Sequence, residues 1–155
     1  MLIEKKIITD LIAKKYRISI AESCTGGLLS HRLTNVPGSS QTFIGSIVAY
    51  SNDIKSGLLG VSEETLKRKG AVSADTAIAM AKGCLKLFKT DFGVGITGIA
   101  GPSGGTKKKP IGLTFIAVSI GEESLCLECI FTGTRAEVKR FATQQALKLI
   151  KEFLD

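Results

Sequence analysis

Strand-like runs at 17–21, 43–50 and 92–96 alternate with segments of helical periodicity, and two further apolar runs, 111–120 and 125–131, are separated by a short polar turn. That pattern predicts a single three-layer α/β/α domain whose mixed, mostly parallel sheet ends in an antiparallel hairpin. The chain has 155 residues, 44% hydrophobic and 23% charged, which is one domain's worth with enough apolar surface for a core. No internal repeat, low-complexity tract or linker interrupts it, so one domain is expected over 1–155.

Residues 1–16 carry Ile3, Ile7, Ile8, Leu11 and Ile12 on one helical face with Lys, Glu and Asp elsewhere, the pattern of an amphipathic helix. Its charges leave no apolar region for a signal peptide and no span of about 18 apolar residues for a membrane. Residues 17–21 alternate enough for a strand, Leu28, Leu29 and Leu33 return at helical spacing to about Thr34, and Val36-Pro37-Gly38-Ser39-Ser40 breaks that helix. The run 43–50 reads as a buried strand. Ser51 or Asn52 caps a short helix after it, and Ser62 caps another. Ser73 starts the long helix, in which Ala77, Met80, Ala81, Cys84 and Phe88 recur three and four apart, and Asp91 precedes the strand 92–96. The two hairpin strands are joined by Gly121-Glu122-Glu123-Ser124. Thr134-Arg135-Ala136-Glu137 is a capping box for the final helix, along which Val138, Phe141, Ala142, Leu149, Ile150 and Phe153 share a face.

Composition narrows the ligand. Twenty-one Lys and Arg against 14 Asp and Glu give a formal net charge of +7, which suits an anion such as a phosphate monoester. Nucleic acid fits less well: aromatics are 6%, Trp is absent, and no basic stripe interleaved with Phe or Tyr supplies a stacking platform. Cys24, Cys84, Cys126 and Cys129 form no disulfide framework, so a reduced, cytoplasmic setting is expected. Cys126 and Cys129 match C-x-x-C, but in a strand an offset of three points side chains to opposite faces, and no second pair completes a four-ligand metal site. Neither a metal nor a cofactor is expected.

The stretch Ala21-Glu22-Ser23-Cys24-Thr25-Gly26-Gly27 reads as a strand-turn-helix junction. Such a junction places the Ser23 hydroxyl at the carboxyl end of a strand and beside the N–H groups of a helix start, which favour anions. A serine hydroxyl needs a positioned base before it attacks an amide. His31, the single histidine, lies too near in sequence, on the helix that follows the turn; Lys55 is the base the sequence allows. A lysine of pKa about 10.4 must be brought to about 7.5 for this, at a cost of roughly 4 kcal/mol. Burial and the positive end of a helix dipole both favour its neutral form. The backbone at Cys24 and Thr25 is the local candidate for oxyanion donors, with Thr97 and Gly98 on the opposite wall. The Gly-rich loop from Gly98 through Gly101 and Gly104 to Gly105, followed by Lys107, Lys108 and Lys109, reads as a backbone cradle for an anion, and Arg135 and Arg140 are each candidates to reach a phosphate. Cys24 stands beside Ser23 as an alternative nucleophile.

Three motifs occur in order: Ala21-Glu22-Ser23-Cys24-Thr25-Gly26-Gly27, Tyr50-Ser51-Asn52-Asp53-Ile54-Lys55, and Gly95-Ile96-Thr97-Gly98-Ile99-Ala100-Gly101-Pro102-Ser103-Gly104-Gly105. Gly70-Ala71-Val72-Ser73 lies between the second and third, and Lys109-Pro110-Ile111-Gly112 follows. The set resembles the ordered signature of the CinA C-terminal domain family, whose stand-alone members include nicotinamide mononucleotide deamidases. The resemblance covers nearly the whole chain and is more specific for the family than for the activity. It implies hydrolysis of the carboxamide of nicotinamide mononucleotide, with Ser23 rather than Cys24 as nucleophile, Lys55 as base, and Tyr50 hydrogen-bonded to Ser23 or Lys55 to help pass the proton. It also implies a homodimer. The alternative is a non-catalytic nucleotide-binding or interaction module, because in this family the domain is often fused behind a larger N-terminal domain.

Overall fold

The computed structural model describes residues 1–155. Five strands, β1 (Ile18–Glu22), β2 (Phe43–Val48), β3 (Phe92–Gly98), β4 (Leu113–Ile120) and β5 (Glu123–Ile130), form one sheet in the order β2-β1-β3-β4-β5. β1 pairs in parallel with β2 on one side and β3 on the other, whereas the β3–β4 and β4–β5 pairings are antiparallel. Four strands therefore share one direction and β4 opposes them. The helices are α1 (Ile3–Lys14), α2 (Leu28–Thr34), α3 (Asn52–Gly57), α4 (Glu63–Arg68), α5 (Ala74–Phe88) and α6 (Arg135–Leu154). Their caps are the residues the spacing predicts: Ser51, Ser62, Ser73 and Thr134 each accept a hydrogen bond from the backbone N–H three residues on, and Glu137 completes the capping box at α6.

The two faces of the sheet are packed differently because the strands alternate. Ile18, Ile20, Phe92, Val94, Ile96, Ile116 and Val118 point to one face and are buried with the aliphatic stripes of α1, α2 and α6. The other face carries Ala21 and Ala117 and lies under α5, to which Ala77, Met80, Ala81 and Cys84 contribute. There α5 runs almost on the backbone of β3: a Cβ on Gly93 or Gly95 would stand 2.1 Å from Ala81 O or 2.2 Å from Ala77 O.

The hairpin turn is tighter than the sequence predicts. Glu123 and Ser124 belong to β5, with Ile120 opposite Glu123 and Ser119 opposite Ser124, so the turn is Gly121-Glu122 alone. The Ser119 and Ser124 hydroxyls hydrogen-bond each other at 2.6 Å, and Gly121 takes φ +56°, the left-handed conformation a two-residue turn requires. Cys126 faces the cluster beneath α5, three residues and one sheet face away from Cys129.

The topology decides where a site can form. β1 sends the chain to β2 on its one side, and the return crosses to β3 on its other side, so a crevice opens where the parallel strands end. Ser23 follows β1, Tyr50 follows β2, and Thr97 and Gly98 end β3.

Candidate active site

Ser23 extends the β1–β3 ladder by one step, its N–H donating to Ile96 O at 2.9 Å, before the chain turns. Gly26 and Gly27, at φ +62° and +103°, carry that turn into α2, and Gly26 N–H donates to Ser23 O at 3.1 Å. Glu22 fixes the turn from below. Its fully buried carboxylate accepts hydrogen bonds from Thr25 Oγ1 (2.6 Å), Leu29 N (3.0 Å), Ser30 N (2.9 Å) and Ser30 Oγ (2.7 Å). This role is not among those expected from the sequence, although a carboxylate in an apolar strand just before a helix start is a recognisable sign of a cap.

Glu22 also corrects the expectation that the start of α2 receives an anion. The α2 amides are occupied by the protein's own carboxylate, the Thr25 side chain is buried against Glu22, and neither Thr25 nor Gly26 lines the cavity. The backbone N–H groups of Cys24 and Thr25 remain without an acceptor.

Lys55 comes from the middle of α3, and its ammonium end is drawn inward rather than out to water. The residue is 1% exposed, its Nζ 3.0 Å from Ser23 Oγ, 2.6 Å from Ala49 O and 3.4 Å from Tyr50 O. No carboxylate pairs with it. Burial lowers its pKa from the ordinary 10.5, and the field of Cys24 opposes this weakly. Cys24, by contrast, has its thiol pushed up to about 11 by burial, so at neutral pH it is not a thiolate. The amine is aimed at the hydroxyl.

The opposite wall is made of backbone. Thr97 lines the cavity while its Oγ1 donates to Ala71 O at 2.7 Å, clamping the 71–72 segment to the end of β3. Gly98 is required where it stands, since a Cβ would lie 2.7 Å from Thr114 Oγ1. Beyond it the N–H groups of Ala100, Gly101, Ser103 and Gly104 have no acceptor within the protein, and Gly101 and Gly104 take φ of +83° and +93°. Lys107, Lys108 and Lys109 do not line this cavity: the first two face water, and Lys109 Nζ donates to Lys69 O, which ties the far end of the loop down.

Arg135 joins the two walls. Nη1 donates to Gly101 O and Nη2 to Tyr50 Oη, each at 2.7 Å. The expectation for Tyr50 is thereby corrected. Its hydroxyl meets Arg135 instead of Ser23 or Lys55, the residue is 60% exposed, and only its backbone carbonyl approaches the Lys55 amine. Arg140 is also displaced from the expected site; it lines an adjoining depression with Lys139 and not the cavity that holds Ser23. The cavity, about 260 Å³, offers a hydroxyl, an amine, backbone amides and a guanidinium, a donor set that suits a carbonyl and an anion.

Residues 2–154 match the family described as the CinA C-terminal domain. A CinA-like protein of Acidobacterium capsulatum is 45% identical over 152 residues, covering 98% of this chain and 37% of the relative; the chain thus spans little more than a third of the curated relatives it matches. Among solved structures, the competence/damage inducible protein CihA of Agrobacterium tumefaciens is similar with a TM-score of 0.96 at 39% identity, over 99% of this chain and 94% of that one. A CinA superfamily protein of Klebsiella pneumoniae gives 0.95 at 31%, over 98% and 95%. The chain belongs to the CinA C-terminal domain family.

Proposed function

We propose that this CinA domain hydrolyses the carboxamide of nicotinamide mononucleotide to nicotinate mononucleotide and ammonia through an acyl-enzyme on Ser23. The observation that carries the reading is a buried lysine amine, without a carboxylate partner, 3.0 Å from a serine hydroxyl. Such burial is costly and has no structural return here that an uncharged side chain of similar size would not supply better. The two carbonyls around Nζ matter to the chemistry. A neutral amine has two N–H bonds and one lone pair; with the N–H bonds directed to Ala49 O and Tyr50 O, the lone pair is left for the Ser23 proton.

In the forward step Ser23 Oγ attacks the carboxamide carbon as its proton passes to Lys55 Nζ. The unpaired N–H of Cys24, which lines the cavity beside Ser23, receives the oxyanion. Lys55 then returns the proton to the departing nitrogen, which leaves as ammonia, and an ester on Ser23 remains. Water attacks that ester with Lys55 again taking a proton, the C–Oγ bond breaks as Lys55 passes that proton to Ser23 Oγ, and nicotinate mononucleotide is released with the serine restored. The loop amides and Arg135 hold the substrate phosphate, and the exposed Tyr50 ring forms the cavity rim against which the pyridine lies. No step needs a cofactor.

Ammonia release from nicotinamide mononucleotide is the test. Ser23→Ala is expected to lose turnover by about three orders of magnitude or more while still binding the nucleotide. Retained turnover in that variant, with loss in Cys24→Ala, would move the acyl group to the thiol. Binding without ammonia release by the unaltered chain would instead make the domain a nucleotide-binding module.

A further inference from the structure

A second depression of about 460 Å³ adjoins the cavity and shares Arg135 with it; Leu28, Ala136, Lys139 and Arg140 complete its lining. Three of its five residues are therefore cations, and none takes part in any of the protein's four ion pairs. Lys139 is half-buried and its ammonium makes no hydrogen bond; it overhangs the Ser23 turn, 3.5 Å from where a Cβ on Gly26 would stand. Its charge is felt at Cys24. Glu137, the acid on the same helical turn, is bent back onto Thr134 N at 3.1 Å and caps its own helix. Arg135 is bonded to two neutral oxygens, which hold it in place without cancelling its charge. Like charges gathered at one helix end repel unless a ligand or counter-ion offsets them.

Two anion-receptive surfaces meet at this guanidinium: the unpaired amides of the Gly-rich loop on one side, and Lys139 with Arg140 on the other. We propose that together they bind the two phosphoryl groups of a pyrophosphate ligand, as in a nucleoside diphosphate ester, with Arg135 between them, and that such compounds compete with a mononucleotide for the loop. The inference rests on the loop being an anion cradle and not on the hydrolytic step. Charge-assisted and bidentate contacts favour this ligand class, because the second phosphoryl group adds charge beside Lys139 and Arg140, which no salt bridge engages.

The full chain is titrated calorimetrically with inorganic phosphate and inorganic pyrophosphate at one ionic strength. Pyrophosphate is expected to bind about tenfold or more tightly than phosphate. In Lys139→Gln with Arg140→Gln that ratio falls to about twofold while phosphate affinity is nearly kept. Lys107→Gln with Lys108→Gln removes the same two charges from exposed positions and keeps the ratio; thermal melts show whether each variant is folded. An unchanged ratio in the first variant, an equal loss in the second, or no anion binding by the unaltered chain overturns the proposal. Because the readout is heat of binding, failure of ammonia release leaves the second site standing, and failure of the ratio leaves the hydrolytic reading standing.

Discussion

The two walls of the cavity are built by opposite means. The wall of Ser23, Cys24 and Lys55 is sealed, and its reactivity comes from taking groups out of water: the amine loses its proton more easily and the neighbouring thiol keeps its own. The wall of Gly98, Gly101, Gly104 and Arg135 works by leaving donors unspent, with amides that meet no acceptor in a loop held at its ends by Arg135 and Lys109. On the proposed reading, chemistry on one side is a matter of desolvation and recognition on the other of unsatisfied backbone. Substitutions on the first wall should therefore act on turnover, and those on the second on binding.

The largest effect expected is for Lys55→Arg, which keeps charge and reach but cannot give up its proton. Turnover should fall by about two to four orders of magnitude with binding retained; near-normal turnover would reduce the lysine to an electrostatic role and erase the contrast between the walls. The same residue sets the pH profile. A lysine whose pKa is lowered is neutral, and competent as a base, above that lowered value, so turnover should rise with pH and level off below the ordinary 10.5. A rate that falls as pH rises through this range is the outcome the mechanism cannot accommodate.

Glu22→Gln comes next and probes what lies beneath the first wall. A carboxamide oxygen can replace one carboxylate oxygen, but its NH₂ then confronts the Ser30 donors, so a loss of about 1–3 kcal/mol of stability is expected. Denaturant melts measure that loss, and turnover per folded molecule should drop with the misaligned turn; an unaltered melt would mean that Glu22 does not carry the turn. Arg135→Ala tests the second wall and should raise KM about tenfold or more while kcat changes far less. Equal losses in both would place Arg135 with the catalytic groups. Smallest of all, Lys107→Ala with Lys108→Ala should leave kcat/KM within about twofold, since exposed, unpaired charges contribute little; a clear rise in KM would bring the lysine run back into the site.

Much of the architecture was legible along the chain because its causes are local. The caps at Ser51, Ser62, Ser73 and Thr134 act within three residues, the apolar stripes of α5 and α6 repeat within a turn, and the alternating strands declare two buried faces by their period. The three ordered motifs marked the family for the same reason, since each is one continuous turn at the end of a strand. What escaped the sequence depends on partners far apart in it. Arg135 and Tyr50 are 85 residues apart, Arg135 and Gly101 34, and no periodicity announces that a guanidinium will claim the tyrosine hydroxyl. Ser23 and Lys55 are 32 residues apart; a serine and a lysine can be named as candidates from composition alone, but only the packing of α3 over the strand ends removes water from the amine. Sequence determines which groups are present and how each segment bends, whereas the lowered pKa, the unspent loop amides and the shared guanidinium are properties of desolvation and juxtaposition, which exist only once the chain has closed on itself.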